Sequence, residues 1–99
     1  MITAAQMREA RALITDPGKW CTDVFSVDRQ GDEVSPLSHR AARFCAYGAI
    51  AKVMNISGEE AWYQVPHQYG SLARVNNRSG HEAILNLMDE IATDLEQAQ

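Results

Sequence analysis

An unbroken run of apolar and small residues, FCAYGAIA from Phe44 to Ala51, governs how this chain can fold. It falls far short of the roughly 20 residues that span a bilayer, so the protein's own residues must cover it. In the wider segment SPLSHRAARFCAYGAIAKVM, Ala42, Cys45, Ala46, Ala49, Ile50 and Val53 recur at helical spacing, and Ala41, Phe44, Gly48 and Ala51 form a second stripe. Only Arg40, Arg43 and Lys52 carry charge within it. A helix apolar on most sides belongs at the centre of a bundle. The spacing predicts that it starts at Ser35, ahead of Pro36, or at Ser38. Gly48 costs about 1 kcal/mol relative to alanine in a helix interior. Its presence there predicts the close approach of a ligand or another backbone, that of the last helix or of a neighbouring hairpin.

Three capping patterns announce the helices around it. Thr3 with Gln6 opens the first, which runs to about Ile14 with Met7, Ala10, Leu13 and Ile14 inward, before Asp16, Pro17 and Gly18 stop it. Ser57 with Glu60, and Ile56 as a hydrophobic staple, opens a short helix ended by Pro66. His67 to Val75 adds a turn or two facing inward through Tyr69, Leu72 and Val75. Ser79 with Glu82 opens the last helix, whose stripe is Ile84, Leu87, Met88, Ile91 and Leu95. Between the first and central helices, Trp20, Val24, Phe25 and Val27 are β-favouring, and Asp28 to Asp32 carries turn chemistry. A small irregular hairpin from Trp20, returning through Glu33 and Val34, follows. The expected fold is mainly α: four to five helices around a central Ala-rich helix, with a small β-hairpin, in one domain over residues 1–99.

Nine Lys and Arg against 13 Asp and Glu give a net charge of −4, which argues against a general nucleic-acid binder. The first residues mix acids and arginines into the apolar pattern, unlike a secretory leader, and a cytoplasmic location is the default. Cys21 and Cys45 are too few for a disulfide scaffold. No close Cys or His pairing suggests zinc, and no metal or other cofactor is expected.

Trp20 and Cys21, the turn from Asp28 to Gly31, RFCAYGAI from Arg43 to Ile50, and Asn76 and Asn77 followed by SGHEAILNLMDEIA resemble a bacterial and phage family, domain-of-unknown-function family 6197. The family pattern implied is a Trp followed by Cys or a small residue, an Arg with Cys two positions on and Gly-Ala after it, an Asn-Asp pair, and a Thr capping an apolar helix. The resemblance extends from Trp20 onward. It departs at Val75, where a Trp is common, at Asn77 in place of the Asp, and at Ser79 in place of the Thr. A role requiring charge at position 77 is thereby put in question. The resemblance implies no reaction.

Candidate chemistry is sparse. Cys21 or Cys45 with His39 or His67 would make a nucleophilic pair; against it, free cysteines ordinarily behave as small buried hydrophobes, and Cys45 is expected to be buried. His39, Arg40 and Arg43, joined by Arg74 and Arg78 if the loop before the last helix folds back, would suit a phosphate or an acidic surface. The competing reading is a solvated face paired to carboxylates. Trp62, Tyr63 and Tyr69 cluster around Pro66 as either a core lid or an interface anchor. Two functions remain. The preferred one is a non-enzymatic module, a regulator or inhibitor, that docks through Trp62, Tyr63 and Tyr69 on a protein partner or on its own copy. The alternative is a small anionic-ligand binder or minor enzyme with a pocket among Trp20, Cys21, Arg43, Tyr47, Asn76 and Asn77.

Overall fold

The computed structural model describes residues 1–98. Helix α1, Ala4–Leu13, begins where Thr3 and Gln6 satisfy each other's backbone N–H groups, at 3.1 and 2.9 Å. Met7, Ala10 and Ile14 point into the core. The Asp16 carboxylate accepts from the Gly18 N–H and caps a 3₁₀ turn, Pro17–Lys19. Strand β1, Ser26–Val27, pairs antiparallel with β2, Arg43–Phe44, and β2 leads directly into α2, Ala46–Met54. Helix α3 is Gly58–Tyr63, with the Ser57/Glu60 capping box formed. A 3₁₀ turn, His67–Tyr69, leads to a short α4, Leu72–Arg74, which widens into a π turn, Val75–Ser79. Helix α5, His81–Gln97, completes the described chain.

The fold is mainly α, with α2 at its centre. Ala46 to Ala51 are all buried, because α1 packs on α2 and α5 while α3 covers another side of α2. The small residues of α2 allow this: a Cβ on Gly48 would collide with the carbonyl oxygen of Phe25 and lie 2.8 Å from its carbon. The close approach expected at Gly48 is therefore the backbone of the segment between α1 and β2. Among the described residues no helix is long and apolar enough to cross a membrane.

Three local expectations are corrected. The central helix starts at Ala46, well after Ser35 and Ser38. Those serines instead accept from the N–H groups of Leu37 and Arg40, closing turns that compete with helix. Arg43 and Phe44 then give their backbone to β1, and Cys45, expected mid-helix, is the N-cap, its Sγ accepting from the Gly48 N–H at 3.4 Å. The second strand of the small β element is consequently Arg43–Phe44; Glu33 makes only a bridge to Val27, beside a bond from the Val34 N–H to the Ser26 carbonyl. Finally, Ser79 does not cap α5. The π turn carries it past the cap position, and Gly80, at φ 100°, makes the break with no side-chain cap.

Candidate functional site

The loop Cys21–Phe25 is pinned at three points. The Cys21 N–H donates to the Phe44 carbonyl at 3.1 Å, the Asp23 N–H donates to Asn77 Oδ1 at 3.0 Å, and the Phe25 carbonyl accepts from the Cys45 N–H at 3.0 Å. Asp23 sits at φ 72°, a left-handed backbone that Asp tolerates better than most residues. Held this way, the loop lays the Phe25 ring on Gly58, where a Cβ would come 2.5 Å from the ring Cγ.

Phe25 is the meeting point of three adjoining recesses, of about 160, 330 and 290 Å³. The smallest reaches Cys45 and Asn77; the largest runs between Tyr47, Glu59, Trp62 and Tyr63; the third passes Val34 and Pro36. Together they form a trough whose charged lining residues are Asp23, Glu33 and Glu59, all acidic. Tyr47, 3% exposed, is its fixed floor, with its hydroxyl accepting from the Leu72 N–H at 3.0 Å. Burial raises the Tyr47 phenol above its ordinary value. At the rim, Trp62 and Tyr63 are 39% and 68% exposed, and their rings meet edge to face at 4.9 Å. The His67 ring also meets the indole, its centroid 5.4 Å away. Tyr69 does not join them. Its hydroxyl donates to Asp94 on α5 at 2.7 Å, a bond that holds the phenol proton and pushes its pKa up to about 12.

The residues of the ligand-pocket alternative are distributed differently from the expectation. Trp20, Cys21, Asn76 and Asn77 do come together, as a closed network. The Asn76 oxygen accepts from the Trp20 indole at 2.8 Å and the Ala46 N–H at 3.1 Å, and its amide donates to the Cys21 carbonyl and Asn77 Oδ1. An asparagine offers two donors and two acceptor lone pairs, so this buried side chain has none left for a ligand. Tyr47 belongs to the trough, and Arg43 lines a separate cleft with His39 and Arg40. Those three lie before the central helix and not on it; Arg74 and Arg78 line a further recess with Ser71, Ala73 and Asn77, bordering the trough.

Neither cysteine is hydrogen-bonded to a histidine among the described residues; Cys21 donates to the Val24 carbonyl at 3.7 Å. Burial, reinforced by the neighbouring Cys45, pushes the Cys21 thiol up to about 12 against the opposing pull of Arg43. Burial also raises Cys45, outweighing the Gly48 N–H at the helix start. No group of three His, Cys, Asp or Glu side chains is arranged to hold a metal among the described residues.

Sequence reasoning found the rim aromatics but missed Phe25, Asp23, Glu33 and Glu59 as one surface. Their only sequence signal was the β-favouring character of Phe25 and the acidic character of the rest. His81 was missed as well: its ring lies 4.8 Å from Trp20 and 2.6 Å from the Ile14 carbonyl, tying α5 to α1. A family model described as a family of unknown function (DUF6197) matches residues 1–98. No curated protein and no solved structure matches the chain.

Proposed function

The chain belongs to the family of unknown function DUF6197, and from its geometry we propose that it is a non-enzymatic interaction module whose trough takes an apolar segment bearing Lys or Arg from a partner protein. One observation carries this reading: Trp62 and Tyr63 stand exposed at the rim of a trough whose lining charges are all carboxylates. Aromatic faces attract cations by about 0.5–1 kcal/mol at exposed sites, and carboxylates beside them add charge complementarity that selects the partner. Trp and Tyr are also the residues that most often dominate binding energy at interfaces. The fixed floor, Tyr47 and Phe25, means that little ordering is needed on docking.

On this reading it is an accessory protein of the cytoplasm, a regulator or inhibitor of its partner. The free thiols Cys21 and Cys45 fit a reducing compartment. Binding to an array of short peptides tests the reading. Peptides mixing Lys or Arg with Leu or Phe should be retained by the wild type and released by Trp62→Ala and Glu59→Lys. Equal retention by Trp62→Ala, or preference for acidic peptides, would overturn it. Retention of no peptide, together with a monomer–dimer equilibrium lost in Trp62→Ala, would make a second copy the occupant instead.

A further inference from the structure

The cleft lined by Arg43 is chemically the reverse of the trough. Lys19, Arg29, Arg40 and Arg43, with His39, surround a space of about 620 Å³, within the range typical of small-molecule sites. Four of the chain's nine Lys and Arg residues thus gather at one place. Set against the single carboxylate in the lining, Asp28, they leave +3 in a chain of net −4. Asp28 is itself occupied, its buried Oδ1 accepting from the N–H groups of Gln30 and Asp32 at 2.9 Å.

We propose that this cleft binds a compact ligand carrying two or more phosphate groups. Among the described residues the ion pairs are Arg8 with Glu96 and Arg11 with Asp89, and no cation of the cleft takes part in one. In a chain with 13 acidic residues, that leaves these guanidinium and ammonium groups without an ion-pair partner among the described residues. They are also presented by separately fixed pieces of backbone. Lys19 ends the turn capped by Asp16, Arg29 sits in the turn closed by the Gly31 N–H on the Asp28 carbonyl, and Arg40 follows the Ser38 turn. Arg43 is held in register opposite Val27. The backbone sets where the four cations stand, and their exposed side chains order when the ligand binds.

The chemistry selects the ligand class. Arg forks match phosphate oxygens bidentately, and several such forks call for several phosphates. No Trp, Tyr or Phe lines the cleft, so it lacks the large ring faces on which bases ordinarily stack. A long polyanion would also meet the acidic remainder of the surface, whereas a compact one feels mainly the local field.

Calorimetry with sodium tripolyphosphate, orthophosphate and a single-stranded oligonucleotide, at low and at physiological salt, tests the proposal. Tripolyphosphate should bind one to one, at least about tenfold tighter than orthophosphate, and weaken as salt rises. Arg43→Gln and Arg29→Gln should each lower its affinity about tenfold, the loss expected for one charge-assisted contact, without moving the melting temperature. Lys52→Gln, outside the cleft, should change nothing. Absence of tripolyphosphate binding at millimolar concentration, or wild-type affinity in both arginine variants, would overturn the proposal. Tighter binding of the oligonucleotide than of tripolyphosphate would also overturn it, in favour of a nucleic-acid backbone.

Discussion

The Trp20 indole Nε1–H donates to the side-chain oxygen of Asn76 at 2.8 Å, joining positions 56 apart in the chain. That oxygen also receives the first N–H of α2, from Ala46, while the Asn76 amide holds the Cys21 carbonyl. One buried side chain therefore fixes the loop that carries Phe25 against the start of the central helix. Asn76→Ala would strand the Ala46 N–H, the Cys21 carbonyl and the Trp20 N–H. A buried unmet group costs about 1–3 kcal/mol; the Ala46 N–H is buried and the other two are part-buried, so a loss of about 2–3 kcal/mol is expected in urea denaturation. A loss under about 1 kcal/mol would mean that these groups find other partners.

Gly48→Ala sets two effects of opposite sign against each other. Helix propensity favours alanine by about 1 kcal/mol. The added methyl would collide with the Phe25 carbonyl, which is backbone and is held by the Cys45 N–H. Overpacking of this kind costs about 1–3 kcal/mol, and net destabilisation is expected in a thermal melt. A rise in melting temperature would show that the loop yields at no cost.

Ser57 and Ser79, both proposed as caps of capping boxes from sequence, separate in the structure. Ser57→Ala removes a formed capping box and should cost about 1 kcal/mol. Ser79→Ala removes no cap and should stay within about 0.5 kcal/mol of wild type. Equal losses in the two variants would contradict the assignment of Gly80 as the helix break.

This contrast marks what the sequence could convey. Thr3 and Ser57 were legible because their partners lie three residues away, and Gly48 was legible because a glycine inside an apolar helix needs a reason. Cys45 was not: a thiol is a weak acceptor and leaves no capping signature, and the pairing that ends at Phe44 is made with residues 17 or so positions upstream. The pattern from Ser35 onward reads as helix only while that pairing is ignored. Trp62 and Tyr63 stood out as unsatisfied aromatics, but Asp23 and Glu33 join the adjoining recesses only through the tertiary placement of Phe25. Lys19 and Arg29 likewise join Arg40 and Arg43 by tertiary folding alone.

Thiol chemistry supplies a pH test. In the folded protein Cys21 and Cys45 are held as neutral thiols, Cys21 up to about pH 12, while an unfolded cysteine ionises near 9. Between those values the unfolded chain has lost protons that the native state retains, so stability falls as pH rises. The contribution of Cys21 is complete below pH 9 and is lost progressively toward 12, and Cys45 acts in the same direction. Cys21→Ser should flatten this alkaline decline, and native labelling by a thiol probe at pH 8 should be slow and become fast in denaturant. Rapid native labelling would show an accessible thiolate and restore a nucleophilic role.

The chain contains two tryptophans, one half-buried in the Asn76 network and one on the trough rim, which makes each the control for the other. In ¹⁵N–¹H correlation spectra, a short peptide alternating Arg and Leu should shift the Trp62 indole N–H resonance in a saturable way. It should leave that of Trp20 in place, and Glu59→Lys should abolish the effect. A Trp62 resonance unmoved at millimolar peptide, or moved equally by a peptide alternating Glu and Leu, would contradict docking of a cationic segment in the trough.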